Sequence, residues 1–170
     1  NTSTASVTVT VSDNQNPVVT ASADTTVNTA AGVCTRSVAV PNAVFSDNCS
    51  GAVLAYVMSG ATTGSGSGQV GTKTFNLGAT VITYTVTDAS SRTATASMTV
   101  TVVDNQNPTV TASGNVLENL VSGCTKSISI TDATIGDNCS GFSLAYVLTG
   151  ATTGNGSGQV GSIVFNKGVT

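Results

Sequence analysis

The chain has 170 residues, of which only 8% are charged and 4% aromatic, and its net charge is −3. With five Lys and Arg residues and no His, it lacks the basic surface that neutralises phosphates, so nucleic acid is not expected as a partner. No apolar run approaches the roughly 18 residues of a membrane span. The apolar residues are mainly Val, Ile, Leu and Ala, and the β-branched members of this group, Val and Ile, favour sheets.

The chain repeats itself. Residues 34–80 recur at an offset of 90 as residues 124–170, and the pentapeptide DNQNP at 13–17 returns at 104–108. A repeat of this period predicts an array of small domains. The expected parts are residues 1–12, the last strand of a preceding repeat; 13–103, a complete repeat; and 104–170, a second repeat that lacks its last two strands.

Apolar residues alternate with polar ones along four segments, which predicts strands with one inward face. In chain order the inward residues are Val38 and Val40; Leu54, Tyr56 and Met58; Ile82, Tyr84 and Val86; Met98, Val100 and Val102. No segment shows helical periodicity over three turns. Short strands separated by regular turn signals predict an all-β fold of tandem antiparallel, immunoglobulin-like β-sandwiches of about 90 residues each.

A glycine-rich stretch, ATTGSGSGQVG, runs from Ala61 to Gly71 and recurs from Ala151 to Gly161. In neither copy is the last glycine directly followed by Lys-Ser/Thr, and neither precedes a predicted helix, so a nucleotide-binding loop is excluded. We expect a flexible crossover loop between two sheets. The alternative is a repeated exposed loop that binds a glycan or a protein partner.

The four cysteines form two equivalent pairs, Cys34 with Cys49 and Cys124 with Cys139, each 15 positions apart. One disulfide within each repeat is the expected pairing, and it indicates an oxidising, extracellular or cell-surface location. Zinc is the rival interpretation, but the chain has neither His nor a C-x-x-C pair to complete a structural site.

Several motifs together resemble the hyalin repeat (HYR) family: DNCS at 47–50 and 137–140, F-N-x-G at 75–78 and 165–168, YTVTDAS at 84–90, and the V-x-V-x-D-x-x-x-P exit. The resemblance covers essentially the whole chain. It implies an immunoglobulin-like fold and an extracellular adhesive or structural role in tandem arrays, often on bacterial surface proteins. One departure is the hairpin turn, where Ser90 and Ser91 replace the Gly-Asn that family members often carry.

Acidic and amide residues gather in three recurring places: the linker between repeats, the DNCS loop and the last hairpin turn. In an immunoglobulin-like sandwich all three lie at the same end, and their oxygens are the ligands that Ca²⁺ takes. The candidate calcium ligands are Asp13, Asn14, Asn16, Asp47, Asn48 and Asp88 for the first repeat, and Asp104, Asn105, Asn107, Asp137 and Asn138 for the second. The alternative is that these residues only form Asx turns with local backbone N–H groups.

No catalytic residues are expected, because the chain has no His and its carboxylates fall at turns at the ends of domains. The sequence predicts a structural or adhesive repeat of a long extracellular surface protein or filament, a semi-rigid stalk whose partners are adjacent repeats or neighbouring filament chains. Two alternatives stay open: a glycan-binding module that uses the glycine-rich loops, and a filament subunit that assembles by strand complementation through residues 1–12.

Overall fold

The computed structural model describes all residues from Asn1 to Thr170 and contains strands and turns but no helix. Accordingly, no helix is long and apolar enough to cross a membrane. The chain divides into two compact units. Unit 1 comprises Asn1–Ala30 and Cys34–Asp104, and unit 2 comprises Ala31–Val33 and Asn105–Thr170. This division falls one residue after the boundary expected between residues 103 and 104.

Unit 1 has nine strands. They are β1 (Val18–Thr20), β2 (Thr25–Asn28), β3 (Thr35–Ala39), β4 (Val44–Ser46), β5 (Val53–Gly60), β6 (Gly64–Ser67), β7 (Thr72–Asn76), β8 (Gly78–Thr87) and β9 (Thr93–Val103). Five of them form one sheet in the order β2-β9-β8-β5-β6, while β1 pairs with β4 and β3 pairs with β7. Every pair is antiparallel except β2 with β9, which is parallel. The expectation of a purely antiparallel fold is therefore wrong at the β2 edge of this sheet. β2 and β9 can run parallel because the rest of the unit, and not a hairpin, connects them.

The core of unit 1 lies between the five-stranded sheet and the strand pairs that cover it. The sheet contributes alternate residues of β5, β8 and β9, and β3 and β7 add Val38 and Phe75 to the same cluster. Phe75, Ile82 and Tyr84 have no exposed surface. All the inward residues predicted for unit 1 are buried except Tyr56, which is partly buried and packs against the cluster. The period-two alternation thus identified the core.

Unit 2 repeats the first part of this plan. Its strands are β10 (Thr109–Thr111), β11 (Thr125–Ser129), β12 (Thr134–Gly136), β13 (Ala145–Leu148), β14 (Gly154–Ser157) and β15 (Ser162–Asn166). The pairs β10-β12, β11-β15 and β13-β14 are all antiparallel and match β1-β4, β3-β7 and β5-β6. No strand corresponds to β8 or β9, and the inward residues Ile128, Leu144 and Phe165 remain half-buried. Their counterparts in unit 1 are covered because β8 and β9 form the centre of the sheet.

Residues 1–17 form no strand, although residues 1–12 were expected to be one. Their sequence, NTSTASVTVTVS, has the same alternation as β9. Val7, Val9 and Val11 are 88%, 79% and 93% exposed. This segment has the period-two alternation of a strand with one inward face, but it pairs with no sheet in this structure.

The glycine-rich stretch is more ordered than expected. Residues 64–67 form β6, which pairs with β5, and only the part after Ser67 crosses to β7. A Cβ atom on Gly66 would lie 2.8 Å from the Tyr56 hydroxyl oxygen, and one on Gly156 would lie 2.7 Å from that of Tyr146. These glycines are therefore required by a tyrosine ring packed against the edge strand.

The glutamine of the same stretch holds in place the segment that connects β3 to β4. Gln69 Oε1 accepts a hydrogen bond from the Ala43 backbone N–H (2.9 Å), and Gln69 Nε2 donates one to the Ala43 carbonyl (2.8 Å). Ala43 is buried, so its backbone groups have no access to water. Gln159 makes the same two bonds to Ala133. The amide side chain replaces a ladder partner at the point where the chain changes sheets.

Replacing Gln69 by Met keeps the side-chain length but leaves both backbone groups of Ala43 without partners. We expect Gln69→Met to lower the free energy of unfolding by roughly 2 to 4 kcal/mol, measured by urea denaturation. The control is Gln15→Met at an exposed position, which should be nearly neutral. Equal stability of the two variants would contradict this role of Gln69.

Candidate acidic site at one end of unit 1

Two strand pairs bring the three predicted acidic segments of unit 1 to one end. Val18 pairs with Ser46, which places the DNQNP linker that precedes β1 beside the DNCS loop that follows β4. Val53 pairs with Thr87, which places the same loop beside the turn between β8 and β9. The register of two strand pairs therefore determines the position of the site.

The carboxylates of Asp13, Asp47 and Asp88 meet at this end, each offering an oxygen within 4.8 Å of the others. Asp88 is buried, with 5% of its surface exposed, and the other two are half-buried. A group of three carboxylates at this spacing is a donor set suited to a hard cation such as Ca²⁺.

Each of these carboxylates uses one oxygen to hold a turn. Asp13 Oδ1 accepts from the Gln15 N–H (3.0 Å), and Asp47 Oδ2 accepts from the Cys49 N–H (3.3 Å). Asp88 Oδ1 accepts from the Arg92 N–H (2.7 Å) and closes the β8-β9 hairpin. Asx turns therefore account for one carboxylate oxygen of each aspartate. They do not account for the second oxygen.

Two of those second oxygens are buried without a hydrogen-bond donor: Asp47 Oδ1 and Asp88 Oδ2. An ionised oxygen removed from water is costly unless a donor or a cation compensates it. Adjacent carboxylates also repel one another. Local turn formation accounts for neither oxygen, whereas a bound cation would satisfy both.

The charges around the cluster show an excess of carboxylates over cations. The Asp13 hydrogen bond and the carboxylates of Asp47 and Asp88 raise the pKa of the Cys49 thiol above its ordinary 9.0, and the partial desolvation of the thiol adds to this. The nearest cation is Arg92, whose Nη1 donates to Asn16 Oδ1 at 3.4 Å. One guanidinium does not balance three carboxylates.

The Gln15 backbone N–H is the main cause that holds the pKa of Asp13 below its ordinary 3.8, with smaller contributions from the Asn48 side chain and Arg92. Because the folded-state pKa is lowered, ionised Asp13 stabilises unit 1 at pH values above about 3.8. That contribution is lost as the pH falls through the lowered pKa.

The amides proposed as ligands in unit 1 are placed differently from the carboxylates. Asn48 Nδ2 donates to Asp13 Oδ1 at 3.3 Å, so its nitrogen faces the cluster. Asn16 Oδ1 accepts from Arg92, and Asn14 is exposed. The structure therefore brings the three carboxylates together more closely than the three amides.

The residues proposed for the second set fall into both units. Asp104, in unit 1, accepts from Thr29 Oγ1 at 3.4 Å, and Asp137, in unit 2, accepts from the Asn138 N–H at 2.6 Å. Asn105 and Asn107 are exposed. The second set contains two carboxylates, those of Asp104 and Asp137, where the first contains three.

The cysteine pairing differs from the one expected. Cys34 and Cys139 are disulfide-bonded, while Cys49 and Cys124 are free thiols. Neither predicted pair, Cys34 with Cys49 or Cys124 with Cys139, is present. The prediction of one disulfide within each repeat is wrong in this structure.

The geometry of unit 1 explains the correction. Leu77 N–H donates to the Cys34 carbonyl, which places Cys34 beside the first residue of β8. Cys49 lies with Asp13, beside the last residue of β8. The ten residues of β8 span about 30 Å at roughly 3.3 Å per residue. A disulfide needs Cα atoms within about 7 Å, so the two cysteines of unit 1 lie at opposite ends and are too far apart to pair.

Two features of the site were not found from the sequence. Arg92 lies beside the carboxylates because the hairpin turn places it there, and a single basic residue after a turn gives little signal. Ser91 has a φ of 67°, in the left-handed region that Gly and Asn adopt more readily. Ser91 thus adopts a left-handed conformation in the turn at some cost in backbone strain.

A scan against protein-family models and a search of curated proteins give no match to this chain.

The disulfide pairing can be read from a tryptic digest of the non-reduced protein with its free thiols alkylated. Cleavage after the five Lys and Arg residues leaves the four cysteines in separate peptides, 1–36, 37–73, 93–126 and 127–167. We expect the alkylated thiols in peptides 37–73 and 93–126, which carry Cys49 and Cys124, and unlabelled, disulfide-bonded cysteines in peptides 1–36 and 127–167. A bond between 1–36 and 37–73 would restore the pairing expected from the sequence.

Proposed function

We propose that this chain is part of an array of immunoglobulin-like repeats of the hyalin repeat type, which forms a semi-rigid extracellular stalk or filament and has no enzymatic activity. Three strand pairs that both units share, and the similarity of residues 34–80 to residues 124–170, support an array. The disulfide and the nearly uncharged, Thr-rich composition support an extracellular location.

The linker between repeats is ordered by its own side chains. Asp104 accepts a hydrogen bond from Thr29 Oγ1. Gln106 Oε1 accepts one from the Gly32 N–H at 3.2 Å. The ring of Pro108 fixes its φ angle and so reduces the number of conformations that the segment can adopt. These features favour a stiff connection over a flexible one.

Calcium at the end of each repeat is the second part of the proposal. The observation that carries it is the pair of buried oxygens, Asp47 Oδ1 and Asp88 Oδ2, that have no donor within a cluster of three carboxylates. The cluster joins the linker, the DNCS loop and the β8-β9 turn. A cation bound there would hold the incoming linker to the body of unit 1.

The donor set favours Ca²⁺ over other common metals. The cluster offers carboxylate oxygens and, among nearby groups, amide and backbone oxygens, which suit a hard cation with six to eight ligands. Mg²⁺ requires stricter octahedral geometry and retains its waters. Zinc prefers His and thiolate ligands, and the chain contains no His.

The glycan-binding alternative gains no support from the glycines themselves. Gly66 and Gly156 are accounted for by the tyrosine rings packed against them, and Gln69 and Gln159 by their bonds to buried backbone. The stretch that was expected to be a flexible crossover loop contains an edge strand, β6, and a glutamine bound to buried backbone.

Strand complementation is a second candidate, and a specific observation favours it. Residues 1–12 have the alternation of β9 and expose three valines. At the offset of 91, Val7, Val9 and Val11 correspond to Met98, Val100 and Val102 of β9, which are at most 1% exposed in unit 1. A segment of this pattern can join a sheet of a second copy by strand addition.

Thermal unfolding with calcium or with EDTA tests the metal site. At a free Ca²⁺ concentration about 100 times the dissociation constant, binding stabilises the folded unit by about 2.7 kcal/mol. For a domain of this size that raises Tm by roughly 10 °C or more. We expect Asp88→Asn to abolish the calcium-dependent shift, because it removes the buried charge while its Oδ1 can still accept from Arg92 N–H.

The matched control is Asp132→Asn, an exposed aspartate outside the cluster, which should keep the full shift. In EDTA, Asp88→Asn should be at least as stable as the unmodified chain, because the substitution relieves carboxylate repulsion. A wild-type Tm that is the same in calcium and EDTA, or an equal calcium shift in Asp88→Asn, would refute the site.

A further inference from the structure

Arg92 is the cationic side chain that accompanies the three carboxylates at one end of unit 1. The unit contains two other basic residues, Arg36 and Lys73. Arg36 lies two residues after Cys34, at the opposite end, and Lys73 lies on the strand that pairs with the Arg36 strand. Arg92 follows the turn at Asp88. The balance of charge at the acidic end therefore depends on one guanidinium.

Two hydrogen bonds hold Arg92 in this position, one from its backbone and one from its side chain. Its backbone N–H donates to Asp88 Oδ1 at 2.7 Å, and its guanidinium Nη1 donates to Asn16 Oδ1 at 3.4 Å. Asn16 belongs to the DNQNP linker. The side chain of Arg92 thus connects the linker to the β8-β9 hairpin, and its backbone closes that hairpin independently of the side chain.

The guanidinium of Arg92 acts on the cluster through its charge and not through an ion pair. It lies in no salt bridge with a carboxylate. The Gln15 N–H is the main cause of the lowered pKa of Asp13, and the charge of Arg92 adds a smaller contribution in the same direction. The buried oxygens Asp47 Oδ1 and Asp88 Oδ2 accept no hydrogen bond from it. Arg92 therefore offsets part of the negative charge while those two oxygens remain available to a metal ion.

We propose that Arg92 is a counter-cation built into the acidic cluster and that it sets how tightly the cluster binds calcium. Without calcium, its charge offsets part of the carboxylate repulsion, and its bond to Asn16 holds the linker to the hairpin. With Ca²⁺ in the cluster, the same charge repels the ion and weakens its binding. This inference rests on the proposed calcium site and deepens it, because it identifies the residue that regulates that site.

The role of Asn16 changes accordingly. Its side-chain oxygen, a candidate calcium ligand, accepts a hydrogen bond from Arg92. In this account Asn16 positions the guanidinium and does not bind the ion.

The counter-cation also indicates the range of calcium concentrations to which the site responds. Calcium affinity depends on the charge of the ligands, and the dissociation constants of extracellular modules are about 10⁻⁴ to 10⁻³ M. A guanidinium beside three carboxylates lowers the net negative charge of the site, which favours this weak range. Calcium would then bind and dissociate with changes in its extracellular concentration.

The test is calorimetric titration of the full chain with CaCl₂, in which the binding step that Asp88→Asn abolishes identifies the unit 1 site. Arg92→Gln removes the positive charge but keeps the backbone N–H that bonds to Asp88. We expect its dissociation constant for calcium to be roughly three- to tenfold lower than that of the unmodified chain, because one repulsive charge beside a divalent ion is lost. A purely structural role for Arg92 would not tighten binding.

Two matched variants separate charge from side-chain shape and from overall charge. Arg92→Lys keeps the positive charge and should bind calcium within about twofold of the unmodified chain. Arg36→Gln removes a positive charge of unit 1 at the opposite end, where screening makes its effect on the site small, and it should also stay within about twofold. In EDTA, Arg92→Gln should have a lower Tm than the unmodified chain because carboxylate repulsion increases, and saturating calcium should reduce that deficit.

The outcomes distinguish this inference from the proposed function. If the unmodified chain binds calcium and Arg92→Gln binds it equally or more weakly, the role of Arg92 is overturned and the calcium site stands. Equal tightening by Arg36→Gln would overturn it as well, because any positive charge would then have the same effect. If the unmodified chain binds no calcium, the calcium site itself is refuted, and with it the regulation by Arg92.

Discussion

The hairpin of β8 and β9 is the constraint on which unit 1 depends. These two strands form the centre of the five-stranded sheet and contribute most of its fully buried side chains. The ten residues of β8 set the distance between the two ends of the unit. One end carries the turn with Asp88 and the other carries Cys34. Unit 2, which has no counterpart of either strand, keeps the same outer strand pairs but leaves its inward residues half-buried.

The two ends of unit 1 therefore carry different groups. The incoming linker and the turn at Asp88 gather three carboxylates at one end, where two buried oxygens have no hydrogen-bond donor. Cys34 lies at the other end, whereas Cys49 lies with the carboxylates, so these two cysteines are too far apart to bond to each other.

Much of the fold followed from the sequence because period-two alternation and a long internal repeat are strong signals. The inward faces and the convergence of Asp13, Asp47 and Asp88 were both predicted. The disulfide pairing was not predicted, because a spacing of 15 residues does not say whether two cysteines lie close together in space. No glycine turn separates Cys34 from Cys49, and the chain between them passes from one end of the unit to the other. The role of Gln69 and the packing of Gly66 also depend on contacts between strands distant in sequence, which local pattern does not encode.

The most direct measurement of the central claim is anomalous X-ray diffraction from crystals of the chain grown in calcium. The account predicts a calcium peak at the cluster, with oxygens of Asp13, Asp47 and Asp88 at about 2.3 to 2.6 Å from it. Asp47 Oδ1 and Asp88 Oδ2 should be among these ligands. A cluster with no anomalous peak, in which water molecules alone satisfy those two oxygens, would contradict it.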